Sequence, residues 1–315
     1  MDPEMIYLDA ACGNNCRVAG YYFLTDRPEL KGVVQICHGM SEYIGRYGKM
    51  IARFNEAGYH VVGIDMMGHG RSYEANKDLG MPRGHFGDTA ASAKQILADV
   101  MSMHQAAKER FGDTKYFLYG HSMGSFVARA IYSTPEYSGE FDRFVFSSTM
   151  GRNGAAKVGI GLSSFISKLG RGRKPGNLLN AIAFGSYNKR IKNPKTLFDW
   201  ISTDDKEVAT YVADPDLGFT FTNRGFNTLF RLVSFIQSDE AYAILAKKPC
   251  LFTYGTEDPV GSYGKGVEQV AAIMKSKNAD VRTINYGPYR HEIQREPVRD
   301  KYFEDLISFF DGTLA

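Results

Sequence analysis

Six short, nearly continuous apolar runs constrain this chain more than any other feature: "GVVQICHG" (32–39), "HVVGIDMMG" (60–68), "KYFLYG" (115–120), "DRFVFSS" (142–148), "KPCLFTYG" (248–255) and "VRTINYG" (281–287). Runs of this length, rich in Val, Ile, Phe and Tyr, suit strands buried on both faces, as in a parallel sheet. Two earlier segments, "EMIYLDA" and "CRVAGYYFLT", read as an antiparallel edge pair.

Helical patterns separate the runs. "GRYGKMIARFNEAG" stops at Gly58, and "DTAASAKQILADVMSMHQAAKERFG" sets Ile96, Leu97, Val100, Met101 and Met103 on one side. "GVEQVAAIMKSK" and "PVRDKYFEDLISFF" follow the last two strands. Alternation of strand and helix implies an α/β fold with a mainly parallel central sheet flanked by helices. From Gly151 to about Phe235 the rhythm breaks into helix-like pieces interrupted by Gly and Pro. The expected organisation is a discontinuous core, 1–150 and 236–315, with residues 151–235 inserted as a helical cap.

Composition narrows the function classes. A net charge of +3 over 315 residues, with no zinc-finger or phosphate-loop pattern, gives no reason to expect nucleic-acid binding. No apolar run approaches membrane-spanning length, and "MDPEMIYLDAACGNNC" lacks a basic-then-apolar leader, so a cytoplasmic location is expected. Cys37 and Cys250 lie in strand-like runs and read as core residues. Cys12 and Cys16, a C-x3-C without a second ligand cluster, read as a surface loop. No metal and no cofactor are expected.

The stretch "KYFLYGHSMGSFVARAIY" (115–132) places Ser122 in a Gly-x-Ser-x-Gly at a strand–helix turn. That is the context in which a strained backbone lifts a serine hydroxyl clear of the sheet. Gly120 and Gly124 would let neighbouring backbone pack closely, and the helix N-terminus supplies free N–H groups for an oxyanion. The same turn is compatible with Ser122 as a simple helix cap.

A serine needs a base and the base a carboxylate, in the chain order Ser, Asp or Glu, His. "CLFTYGTEDPVG" presents Asp258 past the seventh strand; neighbouring Glu257 competes, and Asp258 is favoured because the chain turns at Pro259. Of seven histidines, only His291, in "TINYGPYRHEI", falls in the last strand-to-helix loop. His60 and His104 lie inside elements, His85 in a Gly-rich loop, and His38, His69 and His121 near strand ends. Two backbone donors complete the expected site: the amide of Met123, after the serine, and that of Met40 in "CHGMSEY".

"HGMSEYIGRY", "DMMGHGRS", "GHSMG", "EDPVG" and "RHEI", in this order, resemble the monoacylglycerol lipase/lysophospholipase-like α/β-hydrolases, grouped in bacteria with the serine aminopeptidase S33 proteins. The likeness extends into the inserted segment through "FDWISTDDKEVATYVADPDLGF". It implies Ser122 as nucleophile, Asp258 and His291 as its partners, Met40 and Met123 as oxyanion donors, a helical cap, and hydrolysis of a carboxylic ester such as a monoacylglycerol or lysophospholipid. This chain departs from the pattern at Ser41 and Tyr43, where the family more often shows Gly and His. An amidase or peptidase, an acyltransferase, or a non-catalytic binding protein on the same fold are the competing expectations.

Between Gly151 and Phe198 lie ten basic residues (Arg152, Lys157, Lys168, Arg171, Arg173, Lys174, Lys189, Arg190, Lys192 and Lys195) and no Asp or Glu. They read first as a solvated face, and second as a surface for peripheral contact with anionic lipid or a substrate phosphate. The interleaved Leu162, Phe165, Ile166, Leu169, Leu178, Leu179, Ile182 and Phe184 are expected mostly to pack the cap on the core, with a subset lining an acyl pocket.

Overall fold

The computed structural model describes residues 3–277 and 279–314. Eight strands, β1 (Glu4–Asp9), β2 (Arg17–Phe23), β3 (Gly32–Cys37), β4 (Tyr59–Asp65), β5 (Tyr116–His121), β6 (Arg143–Ser147), β7 (Cys250–Tyr254) and β8 (Val281–Asn285), form one sheet. Its order is β1-β2-β4-β3-β5-β6-β7-β8. The β1–β2 and β2–β4 pairs are antiparallel and all others parallel. The antiparallel pair expected at the start and the six expected parallel strands are therefore all present.

Helices cover both faces because β3 and β5 are buried along their whole length and leave no face for water. On one side lie α1 (Gly48–Glu56) and, near the C-terminus, Arg299–Asp311, which meet the sheet through Ile51, Phe54, Tyr302, Phe309 and Phe310. On the other side α2 (Gly70–Asn76) packs on β2, while α3 (Ser92–Phe111) and α4 (Met123–Tyr132) bury Val100, Met103, Val127 and Ile131. After the short α5 (Pro135–Ser138) and β6 the chain leaves the sheet.

Between β6 and β7 come α6 (Ala155–Ile166), α7 (Asn177–Phe184), α8 (Asp205–Ala213), α9 (Asn223–Ile236) and α10 (Asp239–Ala243), and no strand. The central helix pair is α6 against α9, and α9 also packs on α4. The core is completed by α11 (Lys265–Ser276), after β7, and α12 (Arg299–Asp311), after β8.

Two expectations change. Cys16 is 2% exposed, so the C-x3-C loop is not wholly at the surface: the tight turn Ala10–Cys16 folds that thiol inward. Of the eight apolar residues expected mostly to pack the cap, only Leu179 is fully buried; Phe165, Leu169, Leu178 and Ile182 are 58–65% exposed. The helices α6 and α7 have apolar residues on more than one face, and only one face of each can meet the protein.

Candidate active site

Parallel strands end on the same edge of a sheet, and here the chain order reverses between β3 and β5, since β4 lies outside β3. Such a switch point opens a crevice at the strand C-termini. The loop after β3 brings Met40 to it, the β5–α4 turn Ser122, the loop after β7 Asp258 and the loop after β8 His291.

Ser122 has φ 53° and ψ −120°, outside the regions L-residues prefer, and its hydroxyl makes no cap to α4. The simple helix-cap alternative therefore loses its defining contact. The turn is held by the Ser122 amide donating to Ser147 O at 3.0 Å. Its tightness depends on the flanking glycines: a Cβ on Gly124 would lie 2.0 Å from the Cys37 carbonyl oxygen, and one on Gly120 2.2 Å from Gly124 O.

Asp258 is fully buried and accepts from His291 Nδ1 at 3.0 Å and from the Val260 amide at 2.9 Å. Glu257, its competitor, is solvent-exposed. Burial alone would depress the His291 pKa; the charge and hydrogen bond of Asp258, with Glu292 and Glu42 farther off, outweigh it and leave the pKa raised. The imidazole lies between His121 and Trp200, with ring centroids 4.8 and 4.9 Å away. Ser122 Oγ and His291 are not hydrogen-bonded to each other here, and such contacts commonly tighten only around substrate.

The other histidines have other work. His121 is held neutral by burial and by His291 beside it. His38 Nε2 accepts from the Met66 amide at 2.9 Å, and His69 Nε2 from the Ser41 amide at 3.2 Å. These two rings thus fasten the loop on which Met40 sits. The amides of Met40 and Met123 have no backbone acceptor among the described residues, Met123 being the first residue of α4. Both residues line the same cavity as Ser122 and His291.

That cavity has a volume of about 950 Å³. Its walls are mostly apolar and come largely from the inserted helices, among them Leu162, Leu179, Phe184, Leu229 and Val233. Among the described residues no group of three or more His, Cys, Asp or Glu is arranged to hold a metal.

A buried ionic cluster, absent from the sequence expectations, lies behind the site. Arg46 Nη1 donates to Glu42 at 2.8 Å, and its two nitrogens clasp Glu292 at 2.6 and 2.9 Å. Glu42 also accepts from the Gly39 amide at 2.5 Å and from Tyr47 Oη at 2.7 Å. Burial pushes the Glu42 carboxyl up, but Arg46, with these donors and His38, more than offsets it and holds the pKa low. One cation so ties the Met40 loop to the His291 loop. Both halves stand in the quoted motifs, "SEYIGRY" and "RHEI", but nothing in linear sequence pairs residues 46 and 292.

A serine on a nucleophile-type elbow, a histidine–carboxylate pair and free amides at one sheet edge define an α/β-hydrolase. The model of the serine aminopeptidase S33 family matches residues 28–298, and the chain belongs to that family. It is 27% identical over 299 residues to a monoacylglycerol lipase of Mycolicibacterium smegmatis, covering 93% of each chain. A 103-residue stretch, about a third of each chain, is 39% identical to the phospholipase YtpA of Bacillus subtilis. A thermostable carboxyl esterase from Bacillus coagulans, solved with glycerol, superposes over 100% of both chains with a TM-score of 0.90 and 29% identity. The protein is a carboxylic ester hydrolase that resembles the monoacylglycerol lipases.

Proposed function

We propose that the protein hydrolyses lipid esters, monoacylglycerols or lysophospholipids, through an acyl-enzyme on Ser122. Residues 151–235 act as a cap that roofs the acyl-binding cavity. Ser122 Oγ attacks the ester carbonyl carbon while His291 Nε2 takes the hydroxyl proton. Asp258 holds Nδ1–H and balances the imidazolium charge, and the Met40 and Met123 amides donate to the tetrahedral oxyanion. Collapse breaks the carbonyl-carbon–alkoxy-oxygen bond, His291 returns the proton to the leaving alcohol, and water releases the acid by the same steps in reverse.

The observation that carries this reading is the left-handed Ser122 backbone opening into the cavity that His291 lines. At about 950 Å³ the cavity stands near the top of the ordinary range for small-molecule sites and is apolar enough for an acyl chain. A fluorophosphonate probe should label wild type and not Ser122→Ala. Folded wild-type protein that stays unlabelled would favour a non-catalytic binding role. Faster turnover of aminoacyl amides than of matched esters would favour an amidase, and acyl products formed with added alcohol an acyltransferase.

The cap also suits a lipid surface. All ten basic residues of 151–198 are exposed; with the whole chain at +3 and this span at +10, the remainder is −7. Val158, Ile182 and Leu197 are 65–83% exposed and line the same cavity, so its mouth is apolar, and the segment that carries it is cationic. Each basic residue near an anionic bilayer contributes about 1 kcal/mol. Vesicle co-sedimentation should rise with anionic lipid and fall with salt; indifference to both would remove this part of the reading.

A further inference from the structure

The helix that follows Ser122 is buried at every residue and carries one charged side chain, Arg129. The residue is 3% exposed, and among the described residues no ion pair includes it. A buried cation without a carboxylate must be satisfied by dipoles. Arg129 Nη1 donates to Met150 O at 3.0 Å and Thr149 Oγ1 at 3.3 Å, and Nη2 to Ile236 O at 3.1 Å. Ile236 is the last residue of α9, so the guanidinium also caps a helix C-terminus, where a cation is favoured.

These acceptors are the two places where the cap joins the core. Gln237 closes the same point from outside: it accepts from the Asn153 amide at 2.7 Å and donates to Gly151 O at 3.3 Å. At this joint Met150, and from the cap Leu229, Phe230 and Val233, reach the wall of the cavity. The chain just before it touches the site directly: Ser147 O accepts from the Ser122 amide, and Ser148 Oγ donates to His291 O at 2.6 Å.

We propose that Arg129 is a positioning residue that pins both attachment points of the cap to the nucleophile helix and so sets the acyl cavity over Ser122. It determines chain-length preference without touching the reacting atoms. The assignment rests on the acyl-enzyme reading above.

The test compares p-nitrophenyl butyrate with p-nitrophenyl laurate in wild type, Arg129→Met, Arg129→Lys and Gln237→Ala. Arg129→Met should raise KM for laurate about tenfold while kcat/KM for butyrate changes no more than about twofold. Arg129→Lys, which restores a charge but not the fork, should lie between. Gln237 is only partly buried, so Gln237→Ala serves if the Met variant does not fold, and should shift the laurate-to-butyrate ratio in the same direction. Equal losses on both esters, or an unchanged ratio in both Arg129→Lys and Gln237→Ala, would overturn the proposal. Fluorophosphonate labelling of each variant keeps this result separate from the triad: labelled protein with an unchanged ratio sinks the pin alone, and unlabelled wild type sinks the acyl-enzyme.

Discussion

Replacing Arg46 by Met removes the one cation from between Glu42 and Glu292, whose side chains are 3% and 4% exposed. Breaking a buried ion pair by deleting one partner costs about 3–5 kcal/mol, because the charge left behind has lost both water and its counter-ion. For a chain of 315 residues, an unfolding entropy of about 2.1 cal/mol/K per residue turns that into a fall in Tm of roughly 5–8 °C. The sign of the pH dependence follows. In the wild type Glu42 has a lowered pKa, so its stabilisation is present above the unfolded value of about 4.3 and is lost as pH falls through the folded pKa. Without Arg46, the burial it offset is left to act on Glu42, so the Glu42 pKa rises above its wild-type folded value and the variant's deficit grows as pH rises through it. The deficit should therefore be largest near pH 8 and shrink toward pH 5, read by thermal denaturation at both. Adding Glu42→Gln and Glu292→Gln to Arg46→Met should recover most of the loss, since the amides carry no stranded charge. A deficit below about 1 kcal/mol at pH 8, or one that does not vary with pH, would refute the reasoning.

Other outcomes follow from the same geometry. Gly124→Ala drives a Cβ to 2.0 Å from Cys37 O, a backbone atom that cannot swing aside, and should destabilise by about 1–3 kcal/mol while displacing the Met40 loop and cutting kcat on all esters; wild-type Tm and kcat would contradict it. On the proposed mechanism His291 must be neutral to accept the serine proton, so with its pKa raised the acid limb of kcat/KM should have its midpoint above the ordinary value of about 6.5; a midpoint below 6 would count against the Asp258 contact. The same raised pKa makes the imidazolium–Asp258 contact stabilising in full below about pH 6.5 and lost as pH climbs through the folded value, measurable as falling Tm in Ser122→Ala. Ser148→Ala removes the hydroxyl that holds the His291 carbonyl and should slow short and long esters alike, on the order of tenfold, unlike the Arg129 variants.

The sheet was legible because buried strands need continuous apolar runs: the run at 32–39 contains β3 whole, and that at 115–120 contains all of β5 but its last residue, His121. The elbow was legible because a left-handed serine between close-packed glycines leaves a short local signature. Asp258 over Glu257 could be favoured from Pro259, and the structure buries one and exposes the other. Contacts between distant loops were not legible: Arg46 with Glu292, or Arg129 with Met150 and Ile236, join residues whose spacing encodes nothing. Which apolar residues of the inserted helices line the cavity was not legible, because an apolar side chain looks the same in sequence whether it meets the core, the cavity, as Ile182 does, or solvent, as Phe165 does.

The two departures from the family pattern then acquire a physical meaning. Ser41 sits at φ 54°, a backbone region that favours the glycine more common there, so the serine carries strain. Its hydroxyl donates to Phe219 O at 2.6 Å, and its carbonyl accepts from the Gly218 amide at 3.0 Å. Tyr43 Oη, two residues on, donates to Asp214 at 2.9 Å. Both departures exchange local freedom in the Met40 loop for attachment to residues 214–219. The Met40 loop is then fastened on three sides: to the core through His38 and His69, to the His291 loop through Glu42 and Arg46, and to the inserted segment through Ser41 and Tyr43. On the proposed mechanism the Met40 amide must meet a transient oxyanion, and a donor placed before the charge forms is worth the strain that Ser41 carries and its side-chain attachments offset.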